Sequence, residues 1–158
     1  MKKVEIYRDK GPVDEKEIDK FEASVGYKFP AEYKNLLKEH NALYPSHADF
    51  DFINASSGDL DGRDVTFLGF GDSLSKTSQI QNSQNQDVYG HDGLVIFGRS
   101  GNGDYICFSY QHDMKTDAPK VVVMLHDFPD EDGKMLVNFV ANSFEEFMDS
   151  LYSENDED

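Results

Sequence analysis

Helix signatures stand only towards the two ends of this chain, and between them short apolar runs are separated by turns rich in glycine, asparagine and aspartate. That arrangement constrains the fold strongly, because a doubly wound sheet needs a helix between successive strands. Hairpin-linked strands with helices gathered at the ends predict instead an α+β fold. It is a single domain with a mostly antiparallel sheet and helices packed on one side, two N-terminal helices and one C-terminal helix. A chain of 158 residues is long enough to bury one core without disulfides or metal.

The first helix is announced by Asp14 as cap with Glu17 three residues on, and by Val13 and Ile18 at the positions of a hydrophobic staple. Ile18, Phe21 and Val25 form one stripe and Gly26 supplies a left-handed stop, so the helix spans about residues 14–25. Pro30 opens a second helix whose buried face is Tyr33, Leu36 and Leu37, with Asn41 and Pro45 bracketing its end. The last helix has Ser143 and Glu146 at capping-box spacing and a face of Phe144, Phe147, Met148 and Leu151.

Phe50 and Phe52 alternate with aspartates ahead of a turn-rich stretch, 54–62, and strand character returns at 65–70 and 94–97. The turn 100–104 then leads into a returning strand, 105–110, and 121–125 and 135–140 flank the turn 130–133, giving two hairpins. Residues 72–93 are rich in Ser, Gln and Asn; a structureless loop of that length is unusual, so a short helix is expected within it, with a flexible binding loop as the alternative. Cys107, the one cysteine, sits inside an apolar strand and reads as a small buried hydrophobe. Residues 1–13 read as a lead-in, 14–152 as the domain and 153–158 as an acidic tail. With no apolar run after Met1 and no cysteine pair, no membrane association and a cytoplasmic location are expected.

Asp and Glu number 31 against 15 Lys and Arg, a formal net charge of -16. Such a field repels phosphate backbones, so direct nucleic-acid binding is not expected, and it draws in basic proteins, although acidity also serves solubility alone. Nothing assembles a catalytic site in sequence. The pairs His91-Asp92, His112-Asp113 and His126-Asp127 would point to opposite faces of a strand, and no zinc spacing occurs. Asp59, Asp61 and Asp64, like Asp127, Asp130 and Asp132, lack the spacing of a calcium loop. The glycines 98, 101 and 103 join strand to strand rather than strand to helix, and Asp104 follows where a phosphate would sit. No catalytic residue, resident metal or cofactor is therefore expected. Arg99 is expected to pair with Asp104 or Asp92 and so to hold its turn in shape.

Residues 17–41, with Gly26-Tyr27-Lys28-Phe29-Pro30 between the helices and Asn41 at the end, resemble the opening of the SMI1/KNR4, or SUKH, superfamily. The segment Gly98-Arg99-Ser100-Gly101-Asn102-Gly103-Asp104 resembles its central hairpin, and residues 139–148 its closing strand and helix. The resemblance covers about residues 14–152, with one departure, Ala42-Leu43 where the family often has Gly-Gly. It implies an immunity protein that neutralises a cognate toxin domain, often a nuclease, by stoichiometric binding. The alternatives are a regulatory scaffold of the same fold and, further off, a hydrolase. Against a basic toxin the candidate contact residues are Asp59, Asp61 and Asp64 with Asp130, Glu131 and Asp132, should folding join the two groups. Tyr44, Phe50, Phe52 and Tyr89 are candidate aromatic anchors.

Overall fold

In the computed structural model, residues 3–153 are described, apart from the side chains of Val88 and Tyr89. The expected tail thus lies outside the description except for Ser153. The elements follow in the order β1 (Ile6–Arg8), α1 (Glu15–Val25), α2 (Ala31–Leu37), β2 (Tyr44–Pro45), β3 (Asp49–Ile53), β4 (Leu60–Asp64) and β5 (Thr66–Phe67). There follow 3-10 turns at Lys76–Ser78 and Ile80–Ser83, then α3 (Gln86–Tyr89), β6 (Leu94–Arg99), β7 (Tyr105–Ser109), β8 (Lys120–Pro129), β9 (Met135–Ala141) and α4 (Phe144–Ser150). The main sheet is β5-β6-β7-β8-β9, antiparallel throughout, and the pairs β1-β2 and β3-β4 form two small sheets beside it. The fold is therefore the α+β arrangement expected.

Local signals act as anticipated at the helix ends. Asp14 accepts the Lys16 N–H, Gly26 takes φ 79, and Ser143 Oγ accepts the Glu146 N–H at 3.1 Å. Val13 and Ile18 are buried. The second helix is shorter than its brackets suggested, ending at Leu37, and Asn41 serves a different purpose. Its buried amide accepts the Phe70 N–H and donates to the Phe70 carbonyl, both at 2.8 Å, fastening the chain after α2 to the chain after β5. Ala42 follows at φ 52, alone among the described non-glycine residues in having a positive φ. The turn thus keeps a glycine-type conformation, which costs an L-residue about 1–2 kcal/mol.

Alternation along β6, β7 and β8 sends Phe97, Phe108, Ile106, Val121 and Val123 to one face of the sheet. Tyr33 of α2 is the hub there, its ring 4.9 Å from Phe108, 5.8 Å from Phe97 and 5.5 Å from Phe144 of α4. Phe21 of α1 joins through Phe29 and Phe70. Burying each such ring contributes about 1.5–3 kcal/mol. The Tyr33 hydroxyl is fully buried with no hydrogen-bond partner, a cost of about 1–3 kcal/mol, and burial raises its pKa well above that of a free phenol. Tyr110 makes the contrast, donating to the Lys28 carbonyl at 2.5 Å.

The opposite face carries Ile96, Cys107, Val122 and Met124, also buried; burial pushes the Cys107 thiol pKa up, as expected of a core cysteine. Residues 72–93 form two 3-10 turns and one turn of helix. Gln84 takes the place of a strand, its side chain accepting the Ile96 N–H at 3.0 Å and donating to the Ile96 carbonyl at 2.7 Å. A bulge at residues 126–128 of β8 lets the β8-β9 tip lean toward the segment ahead of β6, where His91 donates to the Met135 carbonyl at 2.7 Å.

Candidate functional site

The stretch 54–62, read as a turn, runs into strand at its last three residues. β3 and β4 form a hairpin with Phe50 opposite Arg63, Phe52 opposite Asp61 and Ile53 opposite Leu60. Phe50 and Phe52 face inward, Phe50 against Phe147 of α4 at 5.3 Å, so both are core residues and not binding anchors. β4 shows no apolar alternation because its inner positions are filled by Asp61 and Arg63, with the guanidinium 5.6 Å over the Phe52 ring.

Arg63 organises the site. Its Nε donates to Asp104 at 2.6 Å and its Nη1 to Asp61 at 2.7 Å, with only 12% of its side chain exposed and 3% of that of Asp104. Burial opposes the charge on Arg63, yet the two carboxylates outweigh it and raise its pKa. Burial likewise pushes the Asp61 carboxyl up, but the Gly62 N–H, the Asn54 amide and Arg63 together hold it below the ordinary range. Asp104 also accepts the His126 N–H at 2.9 Å and faces His126 Nδ1 at 2.5 Å, and His126 Nε2 lies 3.1 Å from Asp127. The expectation that Arg99 pairs with Asp104 or Asp92 is thus corrected: Arg99 donates to the Thr77 carbonyl at 3.2 Å, and the partner of Asp104 comes from another hairpin.

Further bonds pin the β3-β4 hairpin to the main body. Asp64 accepts the Gly101 N–H at 2.9 Å, Asn138 of β9 accepts the Ala55 N–H at 2.7 Å, and Asp49 exchanges backbone bonds with Tyr152. Asp59 is exposed in the turn. Tyr44 of β2 is half-buried, with Arg8 over its ring, and lines an open depression with Gly62, Asp64 and Tyr152, so Tyr44 and Asp64 come together.

The second acidic group is arranged differently. Asp130 accepts the N–H groups of Lys134 and Asp132 at 2.9 Å each, and these bonds hold its pKa below 3.8, with His91 3.8 Å away. Glu131 and Asp132 are exposed. Among the described residues no hydrogen bond or ion pair joins the two acidic groups directly. They are connected through Asp61, Arg63, Asp104, His126 and Asp127, the last only three residues from Asp130. Tyr89 ends α3, and its side chain lies outside the described residues.

Sequence reasoning missed Arg63, Asp104, His126 and Asn138 as the framework of this surface. The available signal was a lone base, Arg63, in the run Asp59-Leu60-Asp61-Gly62-Arg63-Asp64. Among the described residues no group of three His, Cys, Asp or Glu side chains could hold a metal ion, and no helix is long and apolar enough to cross a membrane. No curated protein matches the sequence. The family model described as SMI1 / KNR4 family (SUKH-1) matches residues 12–150, well over half of the chain. With its paired N-terminal helices, its antiparallel sheet and its closing helix in the matched span, the chain belongs to the SMI1/KNR4 family (SUKH-1).

Proposed function

We propose that this protein is an immunity factor that binds a cognate toxin domain one to one in the cytoplasm and so neutralises it without catalysis. Family membership over residues 12–150 is the observation that carries this reading. The charge supports it: a net -16 attracts a basic domain such as a nuclease and competes with the nucleic acid for its groove. Within residues 49–64 five aspartates accompany a single base, and Arg63 is engaged internally by Asp61 and Asp104, so the outward charge of this hairpin is negative.

The test is co-expression with the C-terminal domain of a large secreted toxin encoded beside the gene, followed by size-exclusion chromatography and a toxin activity assay. A one-to-one complex that abolishes toxicity is expected, with association slowed about tenfold or more as salt screens the field. A toxin that remains active at twofold excess of this protein sinks the reading. A stable complex with undiminished toxin activity points instead to a regulatory binding role on the same fold.

A further inference from the structure

Alternation in β3 turns Phe50 and Phe52 inward and Asp51 and Ile53 outward. The register sets Leu60 opposite Ile53, so two aliphatic side chains form a cross-strand pair on the outer face, 69% and 57% exposed respectively. Asp51, on the same face, accepts the Tyr152 hydroxyl at 2.7 Å. Asp51 and Asp59 flank the pair in sequence, giving an apolar centre with an acidic rim, the anatomy of a protein-binding patch.

Two observations define how this face works. The outward N–H and C=O of Gly62 are already taken, by Asp61 at 2.8 Å and Arg63 Nη1 at 2.7 Å, so at that position β4 offers no edge for strand addition and contact runs through side chains. The hairpin is also fixed at its base by Arg63 with Asp104 and Asp64 with Gly101, and at its tip by Ala55 with Asn138. A face held this way loses little further freedom on binding, which favours affinity. We propose that the outer face of the β3-β4 hairpin docks a basic protein, with Ile53 and Leu60 entering an apolar recess while Asp51 and Asp59 meet its lysines and arginines. The occupant follows from charge: a second copy of this chain would set the same carboxylates against each other. This surface deepens the protein-binding reading above and rests on it.

The full chain, labelled with nitrogen-15, is titrated with two synthetic peptides of equal positive charge, one alternating Lys and Val and the other alternating Lys and Gly. The Lys-Val peptide is expected to bind about tenfold more tightly and to shift the amides of residues 51–64. Leu60→Asp removes that preference, whereas Asp19→Asn, on the exposed side of α1, changes it less than about twofold. Because Leu60 is largely exposed, the variant keeps its core, which unchanged amide shifts in β6 to β8 verify. Shifts centred on residues 130–132, or equal affinity for both peptides, overturn the proposal. So does a concentration-dependent dimer in sedimentation that Leu60→Asp abolishes. With the toxin domain, undiminished affinity in Leu60→Asp overturns this surface and leaves the immunity reading intact. No toxin complex, together with Lys-Val docking at 51–64, leaves the surface standing and removes the immunity reading.

Discussion

The β3-β4 hairpin and the β8-β9 tip are alike in composition, each a short reversal crowded with carboxylates and relieved by one Lys or Arg, yet they are fastened in opposite ways. In the tip, Asp130 turns back on its own loop, accepting the N–H groups of Asp132 and Lys134, and among the described residues it reaches outside the loop toward His91. In the hairpin, the charged groups reach across the molecule: Arg63 to Asp104, Asp64 to Gly101. A carboxylate that closes its own turn shapes a loop, whereas one that bonds a distant element fixes the position of a whole face.

The largest effect should come from Arg63→Ala, which leaves the nearly enclosed Asp104 without its guanidinium. Removing one partner of such a pair costs about 3–5 kcal/mol, read from urea unfolding. Hydrogen exchange should quicken throughout residues 49–64 and remain unchanged at 129–135; equal loosening of both regions would break the contrast. Asn138→Ala comes next, at about 1–3 kcal/mol, because it strands the Ala55 N–H at the hairpin tip and also removes the donor to the Val123 and Leu136 carbonyls. Intact protection of Ala55 in that variant would show that the pin is dispensable.

Acid gives a smaller and more distributed effect. Asp61 and Asp130 both have folded pKa values below 3.8, so the stability they supply is present above about pH 4 and is lost as pH falls through the folded values. Asp61→Asn should flatten the fall of the urea midpoint between about pH 4 and 2. An unchanged slope would mean that Asp61 carries none of it. The smallest effect belongs to Asp130→Asn, which should speed exchange in residues 129–135 and lower the urea midpoint less than Asp61→Asn does.

Features set by neighbours in sequence were legible. Asp14, Gly26 and Ser143 end their helices as read, and the turns at 100–104 and 130–133 close real hairpins, because capping and turn geometry involve a few adjacent residues. β4 was hidden because a strand whose inner face is an ion pair over Phe52 has no hydrophobic period. β1 and β2, only three and two residues long, give too short a pattern to register. Arg99 lies closer in sequence to Asp104 than Arg63 does, and only the docking of one hairpin on another decides between them. The same holds for Asn41 and Phe70, whose bonds span 29 positions. The lone Tyr33 hydroxyl was equally invisible, since a tyrosine on an apolar stripe reads as a ring with a satisfied tip.

Gln84 bears on how this protein can be stored at high concentration. β5 covers only two positions of β6, and the primary amide answers the backbone at Ile96, just beyond them. An exposed row of donors and acceptors there would template pairing between molecules, the first step toward fibrils. One glutamine closes both groups of Ile96, and Gln84→Ala should surface as turbidity before it surfaces as unfolding.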